Sequence, residues 1–258
     1  MKKTSIFIIM LALALSANVF GQATKPAGET EADTPIRGGQ IAIPDDGYDG
    51  TLASMACRTI NRTGTDTIVD ASVTVEMEHT WIGDLTIKLV SPAGTVATVL
   101  SRPGSAEASD DGVDGPPFGD SSNLALSSPI TFSTTDGLVD AEQMGETIGG
   151  SLTVCADDAE CLFTPNPGAA SDSGDLTNLF AGETPAGDWQ LCVGDSNGVD
   201  TGNLGAVTLD LTLLGTPPIP PDPLPEATPV PTTNFLGMLL LVLTLGGLGM
   251  FLVGRRGA

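Results

Sequence analysis

Between about residues 41 and 215, apolar side chains recur at every second position in short runs, and no long stretch carries the 3.6-residue period of an amphipathic helix. The segment "TIVDASVTVEM" places Val69, Ala71, Val73, Val75 and Met77 on one face. Leu85, Ile87 and Leu89 repeat the pattern, as do Trp189, Leu191 and Val193, and then Val207, Leu209, Leu211 and Leu213. β-Branched residues within the runs and Gly, Pro, Asp and Asn between them predict short antiparallel strands. About 175 residues of this kind make one domain with a substantial core. Its short strands and frequent turns predict an all-β sandwich or jelly roll. "SRPGSAEASDDGVDGPPFGDSSN", residues 101–123, reads as a long acidic loop, and Trp81 and Trp189 read as packing anchors.

The two ends differ from this middle. Lys2 and Lys3 precede an apolar run over residues 6–17, and Gly21-Gln22-Ala23 offers a small-x-small cleavage site. Residues 1–23 therefore read as a secretory signal peptide for a signal peptidase, with 24–40 as a linker. At the other end, residues 216–233 are rich in proline and read as a stiff spacer. "NFLGMLLLVLTLGGLGMFLV" follows and then Arg255-Arg256. Such a run reaches about 30 Å as a helix, the thickness of a bilayer core, so 234–258 reads as a transmembrane tail with its arginines on the cytoplasmic side. "VPTT" before the apolar run and the arginine pair after it resemble the bacterial IPTL-CTERM sorting signals read by exosortase-type enzymes. That resemblance covers residues 230–258 and implies an exported bacterial protein, either anchored in the envelope or released after its tail is cut.

The formal net charge is -22, which disfavours nucleic acid as a partner because there is no basic surface to neutralise phosphates. An acidic surface favours solubility and can collect calcium. Four cysteines in an exported chain predict two disulfides, with three pairings open. Cys155 and Cys161 flank a short loop that closes easily, which leaves Cys57 to meet Cys192 and tie together the two ends of the domain.

His79 is the only histidine, and Asp84 follows it five residues later. A triad would need a nucleophile, but no serine lies in a G-x-S-x-G elbow. Paired carboxylates could serve glycoside hydrolysis, yet only 4% of residues are aromatic, which leaves few rings to line a sugar cleft. His79 is therefore expected to be structural. Gly83 and Gly94 are expected to permit turn conformations, Asp84 to accept backbone N–H bonds in its turn, and Pro92 to start the next turn. "DSNGVDTGN" offers Asp195, Asn197, Asp200 and Asn203 as oxygen ligands, a candidate calcium site.

"HTWIGDLTIKLVSPAGT", residues 79–95, resembles the hallmark segment of the P domain, or Homo B domain, of proprotein convertases and bacterial subtilisin-like proteases. "IPDDG" before it, and "FGDSSN" and the segment at 179–215 after it, agree in order. Ala206-Val207 departs from the pattern, standing near where the last strand often carries tryptophan. The resemblance implies a galactose-binding-like jelly roll over residues 41–215, with His79, Gly83, Asp84, Pro92, Gly94 and Trp189 as structural motif residues and calcium as a companion ion. In those proteases the P domain follows the catalytic domain and supports its folding. The few tens of residues before Ile41 leave no room for such a domain, so the chain is expected to be no enzyme. The expected function is an exported, surface-sorted protein that presents a stand-alone P domain for binding or envelope structure, with an envelope, glycan or protease partner. The alternative is an accessory domain acting in trans on a secreted subtilisin-like protease.

Overall fold

The computed structural model describes residues 29–31, 38–105, 107–113, 118–168 and 172–215. The signal peptide, the proline-rich spacer and the C-terminal tail read from the sequence lie outside these residues. Among the described residues, no helix is long and apolar enough to cross a membrane.

Among the described residues, eleven strands form two sheets. In chain order they begin with β1 (Glu29–Glu31), β2 (Ile41–Ala42), β3 (Ala56–Arg62) and β4 (Thr67–His79). Next come β5 (Leu85–Val90), β6 (Val96–Ser101), β7 (Ile130–Ser133) and β8 (Val139–Asp140). The last three are β9 (Leu162–Thr164), β10 (Gly187–Asp195) and β11 (Gly202–Leu214). One sheet runs β1-β11-β4-β7-β9-β8, with β2 also on β11, and the other runs β3-β10-β5-β6. β1 falls within the stretch read as a linker, where it pairs with β11 at Leu211 to Leu213. The pairing is not wholly antiparallel, because β9 runs parallel to both β7 and β8.

The inward faces of the two sheets share one core, so the molecule is a β-sandwich. Trp189, Leu191 and Val193 bring β10 into it, and Val207, Leu209 and Leu211 bring β11, as their period-two spacing requires. Trp189 is fully buried, edge-on to Phe180 at 5.0 Å, and its indole N–H donates to Pro185 O at 2.9 Å. Phe180 ends a short helix α1 (Leu176–Phe180), whose first turn is capped by Asp175 accepting from Asn178 N–H. Removing a buried aromatic of this size costs about 3–5 kcal/mol.

Val69 is an exception to the alternation. Asp70 pairs with Thr212 and Ile68 with Leu213, so Val69 is the extra residue of a bulge. The bulge reverses which face each side chain meets: Ile68 is buried and Val69 is 36% exposed. A second bulge, at Val99 on β6, lets Ala97, Val99 and Leu100 all enter the core.

The outer face of the four-stranded sheet is covered as well. Cys57 and Cys192 face each other across β3 and β10 and form a disulfide, as expected. Tyr48, Met55 and Leu52 pack with them in a small second cluster. Gly194 leaves the space that the Tyr48 ring fills, since a Cβ there would lie 2.6 Å from it. Beside it on β5, the buried Lys88 ammonium donates to Asp110 Oδ2 at 2.6 Å and to Asp172 Oδ2 at 3.1 Å. Tyr48 O–H donates to the other oxygen of Asp110 at 2.6 Å. The loop that carries Asp110 is thus strapped across the sheet. Cys155 and Cys161 form the second disulfide.

Candidate functional site

His79 is the last residue of β4 and continues the inward parity of Val73, Val75 and Met77. Asp195 ends β10 and continues that of Trp189, Leu191 and Val193. The two strands belong to opposite sheets, so their polar last residues meet at one end of the sandwich. His79 Nε2 lies 3.1 Å from Asp195 Oδ2, and neither side chain is exposed to solvent.

The other ring nitrogen is engaged too. Nδ1 lies 2.8 Å from Trp81 O and 3.2 Å from Trp81 N. In the neutral ring Nε2–H donates to Asp195 while Nδ1 accepts the Trp81 N–H; a doubly protonated ring would instead donate Nδ1–H to Trp81 O. Asp195 Oδ1 accepts from Asn197 N–H at 3.0 Å. The His79–Asp195 pair holds two chain reversals, one after each strand, and is the scaffold expected of His79.

After Thr80 the chain makes a 3₁₀ turn over Ile82–Asp84 and enters β5. Gly83 N–H donates to Asp120 O and Ile82 N–H to Ser122 O, which brings residues 118–122 against the turn. Gly83 is required here for closeness: a Cβ would lie 2.6 Å from Phe118 O and 2.7 Å from Asp120 N. Its φ is not positive, so the expectation of a special turn conformation holds for Gly94 alone, at φ +88°. Gly94 N–H closes the turn from Ser91 that Pro92 initiates, as expected.

Asp84 corrects its expected role. Its side chain accepts no backbone N–H: it is fully buried and both carboxyl oxygens have no hydrogen-bond partner. Only its backbone serves the turn, the carbonyl accepting from Ser196 N–H at 3.0 Å. Burial, and then the nearby Asp195 carboxylate, raise the Asp84 pKa to about 7, against the opposing pull of His79 and Arg102. Arg102 Nε donates to Gly83 O at 3.3 Å on the far side of the turn.

The four expected calcium ligands lie on different elements. Asp195 is on the inner face, committed to His79. Asn203 is on the outer face of the other sheet, where its Nδ2 donates to Glu78 Oε1 at 2.7 Å. Asp200 accepts the Thr80 hydroxyl at 2.8 Å in an exposed loop, and Asn197 uses its backbone N–H on Asp195. The spacing of donors in "DSNGVDTGN" does not reveal that Asp195 ends β10 of one sheet while Asn203 lies on β11 of the other, with Asn197 and Asp200 in the loop between. Among the described residues, no three His, Cys, Asp or Glu side chains are grouped to hold a metal ion.

Sequence reasoning also missed the partnership of Asp195 with His79 and that of Lys88 with Asp110. The inward parity of Asp195 was a usable signal for the first. For the second there was none, because the partner comes from an irregular loop.

The turn just described lies within a recognisable segment. Residues 68–124 match the family model of the proprotein convertase P-domain. The match runs from β4 through the His79 turn, β5 and β6 to the Leu124 segment. No curated protein matches the chain. Among solved structures, the chain is similar to the serine protease of Aeromonas sobria in its complex with a chaperone, at 18% identity and a TM-score of 0.40. It is also similar to the serine protease of Aeromonas sobria described without the chaperone, at 19% identity and a TM-score of 0.37. Each similarity covers 75% of this chain but only 28% of the longer one.

Proposed function

We propose that this chain is a non-catalytic protein of the bacterial envelope that presents a P-domain-like sandwich, of the jelly-roll kind, for binding. The observation that carries the reading is the enclosure of His79. A general base must come within hydrogen-bond reach of the proton it takes, and the one histidine of this chain has both ring nitrogens committed and no solvent access. The signal peptide at 1–23 and the tail at 234–258 support export and retention, through a signal peptidase and an exosortase-type enzyme. A sandwich does not specify its partner, so the ligand is to be found at the surface.

The P-domain match favours a second reading, an accessory domain acting in trans on a secreted subtilisin-like protease. One experiment separates the two. The full chain, oxidised and immobilised, is exposed to envelope and secreted fractions of the producing organism, in calcium and in chelator. Retention of an envelope glycan or envelope protein supports the first reading, and retention of a subtilisin-like protease supports the second. Hydrolysis of peptide or glycosidic substrates by the chain itself, lost in His79→Ala, would overturn both.

A further inference from the structure

A groove of about 560 Å³ opens beside the buried histidine, on the outer side of the β4–β11 pair. Its floor lies where Glu78 faces Asn203 across the two strands. Ile43 and Leu124, both mostly buried, give it apolar sides.

Its amide and carboxylate lining is one-sided, beside Thr80, Thr153 and Thr201, of which the Thr80 hydroxyl donates to Asp200 at 2.8 Å. Asn203 commits its Nδ2 to Glu78 Oε1 at 2.7 Å, and Asn123 commits its Nδ2 to Ser151 O at 3.1 Å. Both partners are pure acceptors, so chemistry fixes the two amides: a flipped amide would set oxygen against oxygen. Asn203 Oδ1, Asn123 Oδ1 and Glu78 Oε2 are left as acceptors with no donor from the described residues. Among the described residues no Lys or Arg lines the groove, and both nitrogens of the histidine beside it are engaged elsewhere.

A groove with one carboxylate, two free amide oxygens and apolar sides selects a ligand that brings donors and positive charge. Among the described residues lining the groove, no Phe, Tyr or Trp offers a face on which a sugar could stack. A guanidinium is planar and offers five N–H donors with no acceptor, on a stem that packs against apolar surface. The net charge of -22 steers cationic partners towards the molecule. We propose that this groove binds an arginine side chain presented by a polypeptide partner, with Glu78 Oε2 and the Asn123 and Asn203 carbonyl oxygens accepting from its guanidinium. The proposal rests on the reading of the chain as a binding protein and gives that binding a chemistry.

The test is a calorimetric titration of the full chain, both disulfides intact, with a short capped peptide that carries one arginine. Its counterpart with citrulline has nearly the same shape and no charge. The arginine peptide is expected to bind, more weakly as salt rises, and to lose about tenfold in affinity on exchange to citrulline and again in Glu78→Gln. Asn203→Leu is a second variant that removes the opposite side of the site, and unchanged thermal midpoints show that both variants fold. No binding of the arginine peptide, equal binding of the citrulline peptide, or equal binding of a lysine peptide would each overturn the assignment. Because the probe is a small peptide, retention of a natural partner with no arginine binding would sink the groove alone and leave the binding reading standing.

Discussion

His79 at the end of β4 and Asp195 at the end of β10 join the two sheets of the sandwich through a 3.1 Å contact from which solvent is excluded. Nearby, the Thr80 hydroxyl at the end of β4 donates to Asp200 in the loop after β10 at 2.8 Å, at the exposed surface. Removing the ring leaves the buried Asp195 Oδ2 without its donor, with only Asn197 N–H on the other oxygen and the Asp84 carboxyl close by. Breaking a buried pair from one side costs about 3–5 kcal/mol. His79→Ala should therefore lower the denaturant midpoint sharply with an unchanged slope. A loss under about 0.5 kcal/mol, the size of an ordinary surface substitution, would show that the pair is not structural.

Asp84 gives stability an unusual pH dependence. Its folded-state pKa of about 7 lies above the unfolded value of about 4. Between these values the folded state holds a proton that the unfolded state has lost, so this contribution is complete below about pH 4 and declines up to about pH 7. Asp84→Asn keeps the shape and never ionises. Melting points measured from pH 4 to 9 should show the wild type losing stability relative to Asp84→Asn as pH rises towards neutrality, with a constant difference above it. Parallel curves throughout would refute the raised pKa.

Most strands were legible because apolar parity needs no knowledge of the partner: Val73 to Met77, Trp189 to Val193 and Val207 to Leu213 are buried as their spacing required. Val69 was misplaced because a bulge is decided by register with β11, which its own sequence does not reveal. β7, β8 and β9 are too short to show a period, and parallel pairing with β9 depends on chain that returns from elsewhere. At the site, His79 was legible as scaffold, but its partner lies 116 residues away. Charge misled twice. Lys88 and Asp84 would be expected at the surface, yet one is buried against loop carboxylates and the other is buried with no hydrogen bond to either carboxyl oxygen.

The strap over the four-stranded sheet should depend on Asp110. It neutralises Lys88 and also accepts the Tyr48 hydroxyl, while Asp172, the second carboxylate on Lys88, is more exposed. Asp110→Ala leaves the ammonium half-answered, so the loss should fall below the full cost of a broken buried pair, at about 2 kcal/mol. Residues 107–113 should become a site of earlier proteolytic cleavage, held then only at their ends, where Ser101 Oγ donates to Glu107 and Arg102 Nη1 donates to Val113 O. Equal cleavage rates in wild type and variant would show that the loop is held by something else.

The two disulfides should differ widely in what they contribute. Cys57 and Cys192 are 135 residues apart and join facing positions of neighbouring strands, whereas Cys155 and Cys161 are separated by 6. In the chain-entropy picture the longer loop restricts the unfolded state far more, by about 5 kcal/mol against about 2 for the short one. Cys57→Ala with Cys192→Ala also opens space beneath Tyr48 and Met55 in the small outer cluster, which adds to the loss. Cys155→Ser with Cys161→Ser changes only the short loop that the acidic side chains already brace, Asp158 accepting from Cys155 N–H and Glu160 N–H. Denaturant unfolding of the two double variants should place the first well below the second. Equal stabilities would mean that the unfolded chain stays compact enough for the long bridge to restrict little, and the entropic account would then fail for this protein.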